Sequence, residues 1–144
     1  VSSRPLHRSC LELLLCAKAD VNLGSGWKGM TALHRASKNN WIGGVEVLLS
    51  APESVIDLEA RDTEEGETAL IFGAKFGHVE IVSSLLRAGA NINAADFINR
   101  TSLHKSMLYD WPRVAEILKS DPKCNWELRD AAGLRASDLS GPPR

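Results

Sequence analysis

The stretch Thr68 to Asn93, TALIFGAKFGHVEIVSSLLRAGANIN, carries two short apolar helical patterns with glycine punctuation between and after them. Leu70, Phe72 and Ala74 begin a first run and Gly77 interrupts it. Val79, Ile81, Val82, Leu85 and Leu86 then recur at the i, i+3, i+4 spacing of an amphipathic helix. Gly89 stands just past the last apolar position, where a helix ends in a left-handed residue that glycine adopts without a Cβ penalty. Leu86 is read as a core position and Gly89 as a helix terminator.

The segment resembles an ankyrin repeat, a unit of about 33 residues built from a turn and two helices with a T-P-L-H-x-A opening. Thr68-Ala69-Leu70 stands at that opening, Gly77-His78 follows, and Leu85-Leu86 with Gly89-Ala90-Asn91-Ile92-Asn93 matches the L-L-x-x-G-A-x-x-N ending. Thr31-Ala32-Leu33-His34-Arg35-Ala36 and Thr101-Ser102-Leu103-His104 open further copies, 37 residues before Thr68 and 33 after it. The fold class is therefore expected to be an all-α ankyrin solenoid of helix-turn-helix units joined by β-turn or hairpin loops. The expected division is a single domain over 1–140, with a partial repeat at 1–24, repeats at about 25–61, 62–95 and 96–129, a partial repeat at 130–140, and a tail at 141–144.

Working outward, His7 to Leu15 matches only the second helix of a repeat, and Ala19-Asp20-Val21-Asn22 the ending after it. In the second repeat Gly43-Gly44 falls early in the outer helix at about 1 kcal/mol per glycine relative to alanine, so that helix is expected to start late, near Val45. Ser50 to Ile56 and Thr63-Glu64-Glu65 hold the extra residues of the 37-residue spacing, and such insertions map to surface loops. In the fourth repeat Asn99 takes the turn position of Gly66, and asparagine tolerates the left-handed region. Asp110-Trp111-Pro112 replaces Gly77-His78, with Pro112 suited to a first helical turn. Asp130 to Leu139 resembles the start of a fifth unit with Arg135 where threonine is expected.

The 144 residues carry a net charge of −1, 44% apolar and 24% charged residues. That is ordinary globular composition. It lacks the basic surplus that nucleic-acid backbones select, so no nucleic-acid partner is expected. No apolar run approaches a membrane span, and no secretory signal is visible. Cys10, Cys16 and Cys124 are an odd number with no metal-binding spacing, which suits free thiols in a reducing compartment. The chain is expected to be cytoplasmic or nuclear, monomeric, without metal or cofactor, and, starting at Val1, a segment of a longer protein.

Several patterns imitate chemistry. Gly24-Ser25-Gly26-Trp27-Lys28-Gly29 satisfies G-x-G-x-x-G, but a dinucleotide site needs a buried strand before it and a full helix after it, so an inter-repeat turn is expected. The resemblance implies that His34 and His104 tie turns and neighbouring repeats by hydrogen bonds rather than act as bases. No catalytic motif accompanies them. Asn99-Arg100-Thr101 is a glycosylation sequon at a turn, and Asn22 and Asn93 lie in the context that asparaginyl hydroxylases modify in some ankyrin proteins; a helix-terminating role is the expectation.

The resemblance further implies a non-catalytic protein-interaction module, an adaptor or scaffold, with a protein partner lying against turn tips and exposed inner-helix positions. The alternative is the regulatory or substrate-docking arm of a larger enzyme or channel. The offsets select Trp27, Lys28, Met30, Lys38 and Asn39 in the second repeat, Glu64, Glu65, Glu67, Lys75 and Phe76 in the third, and Phe97, Ile98, Arg100, Leu108 and Tyr109 in the fourth. Glu64, Glu65 and Glu67 are expected to form an acidic tip beside an aromatic stripe of Trp27, Phe76, Phe97 and Tyr109.

Overall fold

The computed structural model describes residues 22, 24, 26, 28–50 and 56–139. Among these, the chain forms three helix pairs: α1 (Ala32–Lys38) with α2 (Ile42–Ser50), α3 (Ala69–Lys75) with α4 (Val79–Arg87), and α5 (Ser102–Leu108) with α6 (Pro112–Ser120). A 3₁₀ turn over Ala136–Leu139 follows. The inner helices α1, α3 and α5 pack in sequence, as do the outer helices α2, α4 and α6. Each unit thus touches its neighbours, the quasi-one-dimensional arrangement of a solenoid. Isolated antiparallel bridges of Ala95 with Thr101 and of Arg129 with Arg135 close the last two turns.

The inner helices start where threonine starts them. Thr31, Thr68 and Thr101 are extended N-caps whose side chains accept from the backbone N–H three residues on, which satisfies an otherwise orphan donor. The outer helices α4 and α6 have no side-chain cap. At their N-cap positions His78 and Trp111 instead reach backwards: His78 Nε2 donates to the Lys38 carbonyl at 3.0 Å, and Trp111 Nε1 to the Lys75 carbonyl at 2.8 Å. Each ring so satisfies a carbonyl at the C-terminal end of the preceding unit's inner helix.

The core is the shared interior of the pairs, where Leu48, Leu70, Ile71, Ile81, Leu85 and Leu118 are fully buried. Leu86 is only partly buried, packed against that core, so Leu85 is the fully enclosed member of the pair. Pro112 does take the first position of α6. Asn99 does adopt the left-handed conformation, at φ 61°, and Asp110, in the place of Gly77, adopts it as well, at φ 59°. Gly89 has φ 97°, as its place after α4 requires.

One expectation about helix starts fails. α2 begins at Ile42, with Gly43 and Gly44 inside it, because the Trp41 ring lies where a Gly44 side chain would be: a Cβ there would come within 2.2 Å of Trp41 Cε3. The glycine admits the indole, and that packing offsets its poor helix propensity. The expected partial repeat at 1–24 falls almost wholly outside the described residues, as does most of the inserted segment from Ser50 to Ile56.

Candidate functional site

The turns before the inner helices and the 3₁₀ turn form a row of fingers, three of them tied by an aspartate within the turn. Asp96 Oδ1 accepts from the N–H groups of Ile98 and Arg100 at 3.0 and 2.8 Å. Asp130 Oδ1 accepts from those of Ala132 and Leu134, both at 2.9 Å. Asp62 Oδ1 takes only Glu67 N–H, at 2.8 Å, across a turn lengthened by one residue. Left-handed residues close each tip: Gly29, Gly66, Asn99 and Gly133. Backbone bonds lace tip to tip, from Thr63 N–H to the Lys28 carbonyl, Phe97 N–H to Glu65, and Ala131 N–H to Ile98, at 2.8 to 2.9 Å.

The G-x-G-x-x-G stretch belongs to this row. Gly29 N–H donates to the Gly26 carbonyl at 3.2 Å, both glycines have positive φ, and the helix that follows is seven residues long. That is a finger turn, not a phosphate loop.

His34 and His104 lie beneath the fingers. Thr31 N–H donates to His34 Nδ1 at 3.0 Å, which leaves the proton on Nε2 to reach the Glu67 carbonyl of the next unit at 3.0 Å. His104 repeats this with Thr101 N–H at 3.2 Å and the Leu134 carbonyl at 3.0 Å. Both imidazoles are buried and spent on structure. Burial holds the His34 pKa below its ordinary value, because the charged ring would lose its hydration.

Ile71 occupies the equivalent position in the third repeat and has no donor for the next finger. A buried ionic cluster spans that junction instead. Lys105 Nζ lies 2.9 Å from Glu67 Oε1, 3.0 Å from Asp96 Oδ2 and 3.5 Å from Glu65 Oε2, while Lys75 Nζ approaches Glu67 at 3.4 Å and Glu65 at 3.5 Å. The three carboxylates converge closely enough to hold a cation; the Lys105 ammonium is the cation placed among them. With three carboxylates and two ammonium groups, one negative charge is unmatched. Burial raises the pKa of Glu67, the most enclosed carboxylate, against the pull of Lys105. For Glu65 burial works in the same direction, but Lys75 and Lys105 outweigh it and the pKa is lowered. Lys105 loses hydration, yet Glu67 and Asp96 more than compensate and raise its pKa.

The structure divides the sequence-selected surface residues. Glu67 and Met30 are buried, so neither offers a side chain to a partner: Glu67 belongs to the cluster, and the expected tip of three glutamates reduces to Glu64 and Glu65. Glu64 pairs with Lys28 at 2.8 Å. Arg100 is drawn to Asp130 at 3.3 Å, and Lys75 to the cluster. Phe97 and Ile98 stand out at the fourth finger, 62% and 46% exposed. Phe97 lies over Gly66, where a Cβ would meet its ring at 2.4 Å.

Asn39, Phe76 and Tyr109 are the C-caps of the inner helices, at the end away from the fingers. The proposed single aromatic stripe is therefore two rows a helix length apart, about 10 Å for seven residues. Phe76 stacks between Phe72 and His78, with centroids 6.3 Å from each. Tyr109 is exposed, as are Lys38 and Asn39, while Leu108 is half-buried. Trp27 lies outside the described residues. Sequence reasoning passed over Trp111, Trp126 and Leu134, whose rings and side chain are exposed; the alignment of Trp111 with His78 was the available signal.

Asn93 is engaged at both ends of its amide. Its Nδ2 donates to the Lys123 carbonyl and its Oδ1 accepts from Asn125 N–H, both at 2.8 Å. Asn22 Oδ1 accepts from Asp57 N–H at 2.7 Å in the same way. These asparagines join one unit to the next.

Comparison with known proteins gives the same reading as the tiled helix pairs. The model for ankyrin repeats, in three copies, matches residues 2–96, more than half of the chain. The chain belongs to the ankyrin-repeat family. It is 38% identical over 76 residues to rabankyrin-5 of Homo sapiens, covering 53% of this chain and 6% of that protein. It is 33% identical over 105 residues to the B-cell lymphoma 3 protein homolog of Mus musculus, covering 69% and 23%, and 30% identical over 118 residues to inversin of Gallus gallus, covering 82% and 10%. The chain thus spans less than a quarter of the length of these relatives. Ankyrin repeats are protein-interaction modules and generally non-catalytic, and among the described residues no helix is long and apolar enough to cross a membrane.

Proposed function

We propose that this ankyrin-repeat chain is a non-catalytic adaptor or scaffold module that binds a protein partner across the third and fourth fingers and the exposed ends of the inner helices, in the cytoplasm or nucleus. The observation that carries the reading is the fourth finger. Its two large apolar side chains, Phe97 and Ile98, are held outward by the Asp96 hydrogen bonds, the left-handed Asn99 and the bond from Phe97 N–H to Glu65. Ordering such a tip in advance spares a partner part of the entropic cost of binding, and exposed aromatic groups are the usual anchors of interfaces. Glu64 and Glu65 beside them favour a partner with a basic flank.

The experiment is site-specific photo-crosslinking in the full-length protein. A photoreactive residue at Phe97 should capture a protein that one at Glu80, on the outer helices, does not. Equal capture from both positions would remove the finger assignment. The second reading, a docking or regulatory arm of a larger enzyme or channel, draws on how small a share of its relatives the chain spans; activity in the full-length protein that requires these repeats would select it.

A further inference from the structure

Neighbouring fingers show a partner different chemistry. Counted from Asp62, Asp96 and Asp130, the positions of Phe97 and Ile98 are held by Thr63 and Glu64 in the third finger and by Ala131 and Ala132 in the fifth. An apolar tip thus stands between an acidic one and one of small side chains. The fourth finger is bonded on both sides, through Phe97 N–H to the Glu65 carbonyl at 2.9 Å and through Ala131 N–H to the Ile98 carbonyl at 2.8 Å. Phe97 and Ile98 therefore stay exposed with a neighbour in place on either hand.

The charges beside this tip decide what fits it. Lys28 is held by Glu64 at 2.8 Å, Arg100 by Asp130 at 3.3 Å, and Lys105 lies buried between Glu67 and Asp96. Glu65 is the least matched carboxylate. Its side chain is 48% exposed, and its contacts with Lys75 and Lys105 both run through Oε2 at 3.5 Å, longer than the roughly 2.7–2.9 Å of a close charge-assisted bond. A carboxylate accepts at about four lone-pair sites, so Glu65 keeps capacity for a donor from outside. The two lysines hold it ionised by lowering its pKa. Its carbonyl binds Phe97 N–H, and the Phe97 ring lies across Gly66, the next residue. An anion and an open aromatic ring are thus set side by side.

We propose that the partner meets these fingers with an extended segment carrying an arginine and, about three residues from it, a large apolar side chain. The proposal rests on the finger reading given above. The guanidinium lies on the Phe97 ring and pairs with Glu65; the apolar side chain packs on Ile98 beside Ala131 and Ala132. Arginine suits the place better than lysine, because its planar, weakly hydrated group stacks on an aromatic ring while donating in its own plane to a carboxylate. The spacing follows from the stack: packed helices lie about 8 to 10 Å apart, and an extended chain advances about 3.3 Å per residue.

The test is panning of a random peptide library, displayed on phage, against the immobilised full-length protein. Phe97→Ala serves as the subtracting variant, and circular dichroism confirms that each variant is folded. Peptides that need Phe97 should share an arginine with an apolar residue at that spacing. For one such synthetic peptide, changing its arginine to citrulline, or the protein by Glu65→Gln, should each weaken binding about tenfold or more. Combined, the two should cost little beyond either alone. Lysine in place of the arginine should also bind more weakly, and Phe97→Leu should weaken the arginine form more than the citrulline form. Phe97-dependent peptides that are acidic or purely apolar would overturn the proposal while leaving the fingers as the contact site. So would a peptide that binds Glu65→Gln, or in its lysine form the wild type, without loss. Recovery of no peptide that depends on Phe97 would overturn the finger reading along with it.

Discussion

Lys105 Nζ stands 2.9 Å from Glu67 Oε1, both side chains almost wholly buried, and so joins α5 to the finger of the preceding repeat. Among the described residues this ion pair lies at the junction where Ile71 replaces the histidine that His34 and His104 supply at the junctions on either side. A hydrogen bond from a neutral ring has been exchanged for a buried charge network, and the two devices fail under different conditions.

Removing one member of a buried pair leaves the other charge uncompensated. Lys105→Met should therefore destabilise the protein by about 3 to 5 kcal/mol, with Glu67 and Asp96 left facing each other. The combination of Lys105→Met with Glu67→Gln should cost less than the sum of the two single changes, because the second removes a charge that the first has stranded. Urea unfolding of the four proteins gives the coupling energy. A sum that is additive within error would mean that the cluster is not energetically coupled.

The histidine junction responds to pH. Burial depresses the folded pKa of His34, so below its ordinary value of about 6.5 the unfolded chain binds a proton that the folded chain resists. Stability from this site is present above about pH 6.5 and is lost as pH falls from there towards the folded pKa. Glu65 acts on the same side lower down: its depressed pKa contributes stability above the ordinary carboxylate value of about 4.3 that is lost as pH falls through the folded one. Lys105 acts oppositely, its raised pKa giving stability that is lost only as strongly alkaline pH passes the folded value. Thermal melting from pH 5 to 7 should show a decline on the acid side that His34→Gln reduces. An unchanged slope in that variant would assign the decline to another group.

Burial separates two adjacent leucines that sequence pattern treats alike. Leu85 is fully enclosed among the core residues and Leu86 is half-covered. Leu85→Ala should cost about 2 to 5 kcal/mol through lost transfer energy and the cavity left behind, and Leu86→Ala distinctly less. Glu80→Ala, exposed on α4, should fall within about 0.5 kcal/mol of wild type. Denaturant midpoints at constant slope decide the order, and a larger loss at Leu86 would shift the packed face of α4 by one residue.

The period of the repeats, the left-handed Asn99 and Gly89 and the first-turn Pro112 were legible because each depends on residues within a few positions. Burial of Glu67 was not. Glu64-Glu65-Gly66-Glu67 reads as a solvated charge run, and only the fold brings Lys105 and Asp96 onto its last member. Met30 was misplaced for a related reason: the residue before the inner-helix cap lies beside a turn in sequence, but its side chain points into the stack. The start of α2 depended on the Trp41 ring lying over Gly44, a contact that propensity does not register. Equal repeat offsets correctly grouped Phe76 with Tyr109, yet Phe97 belongs to the fingers, at the other end of the inner helices.

The binding surface can be tested through the glycine beneath its most exposed ring. Gly66 has φ 73°, and a side chain there would meet Phe97 Cδ1 at 2.4 Å, so Gly66→Ala strains the turn and displaces the ring without removing it. Phe97→Ala removes the ring and leaves the turn intact. If the finger is the contact site, Phe97→Ala should weaken binding of the crosslinked partner by about 2 kcal/mol or more, as truncation of an interface hot spot does, with most of the change in the dissociation rate. Gly66→Ala should weaken it in the same direction while also lowering stability, and Glu64→Gln should act mainly on association and its salt dependence. Surface plasmon resonance on the three folded variants separates these effects. Wild-type dissociation from Phe97→Ala would place the interface away from the fourth finger, and a defect in Gly66→Ala alone would show that turn geometry, not the exposed aromatic ring, governs recognition.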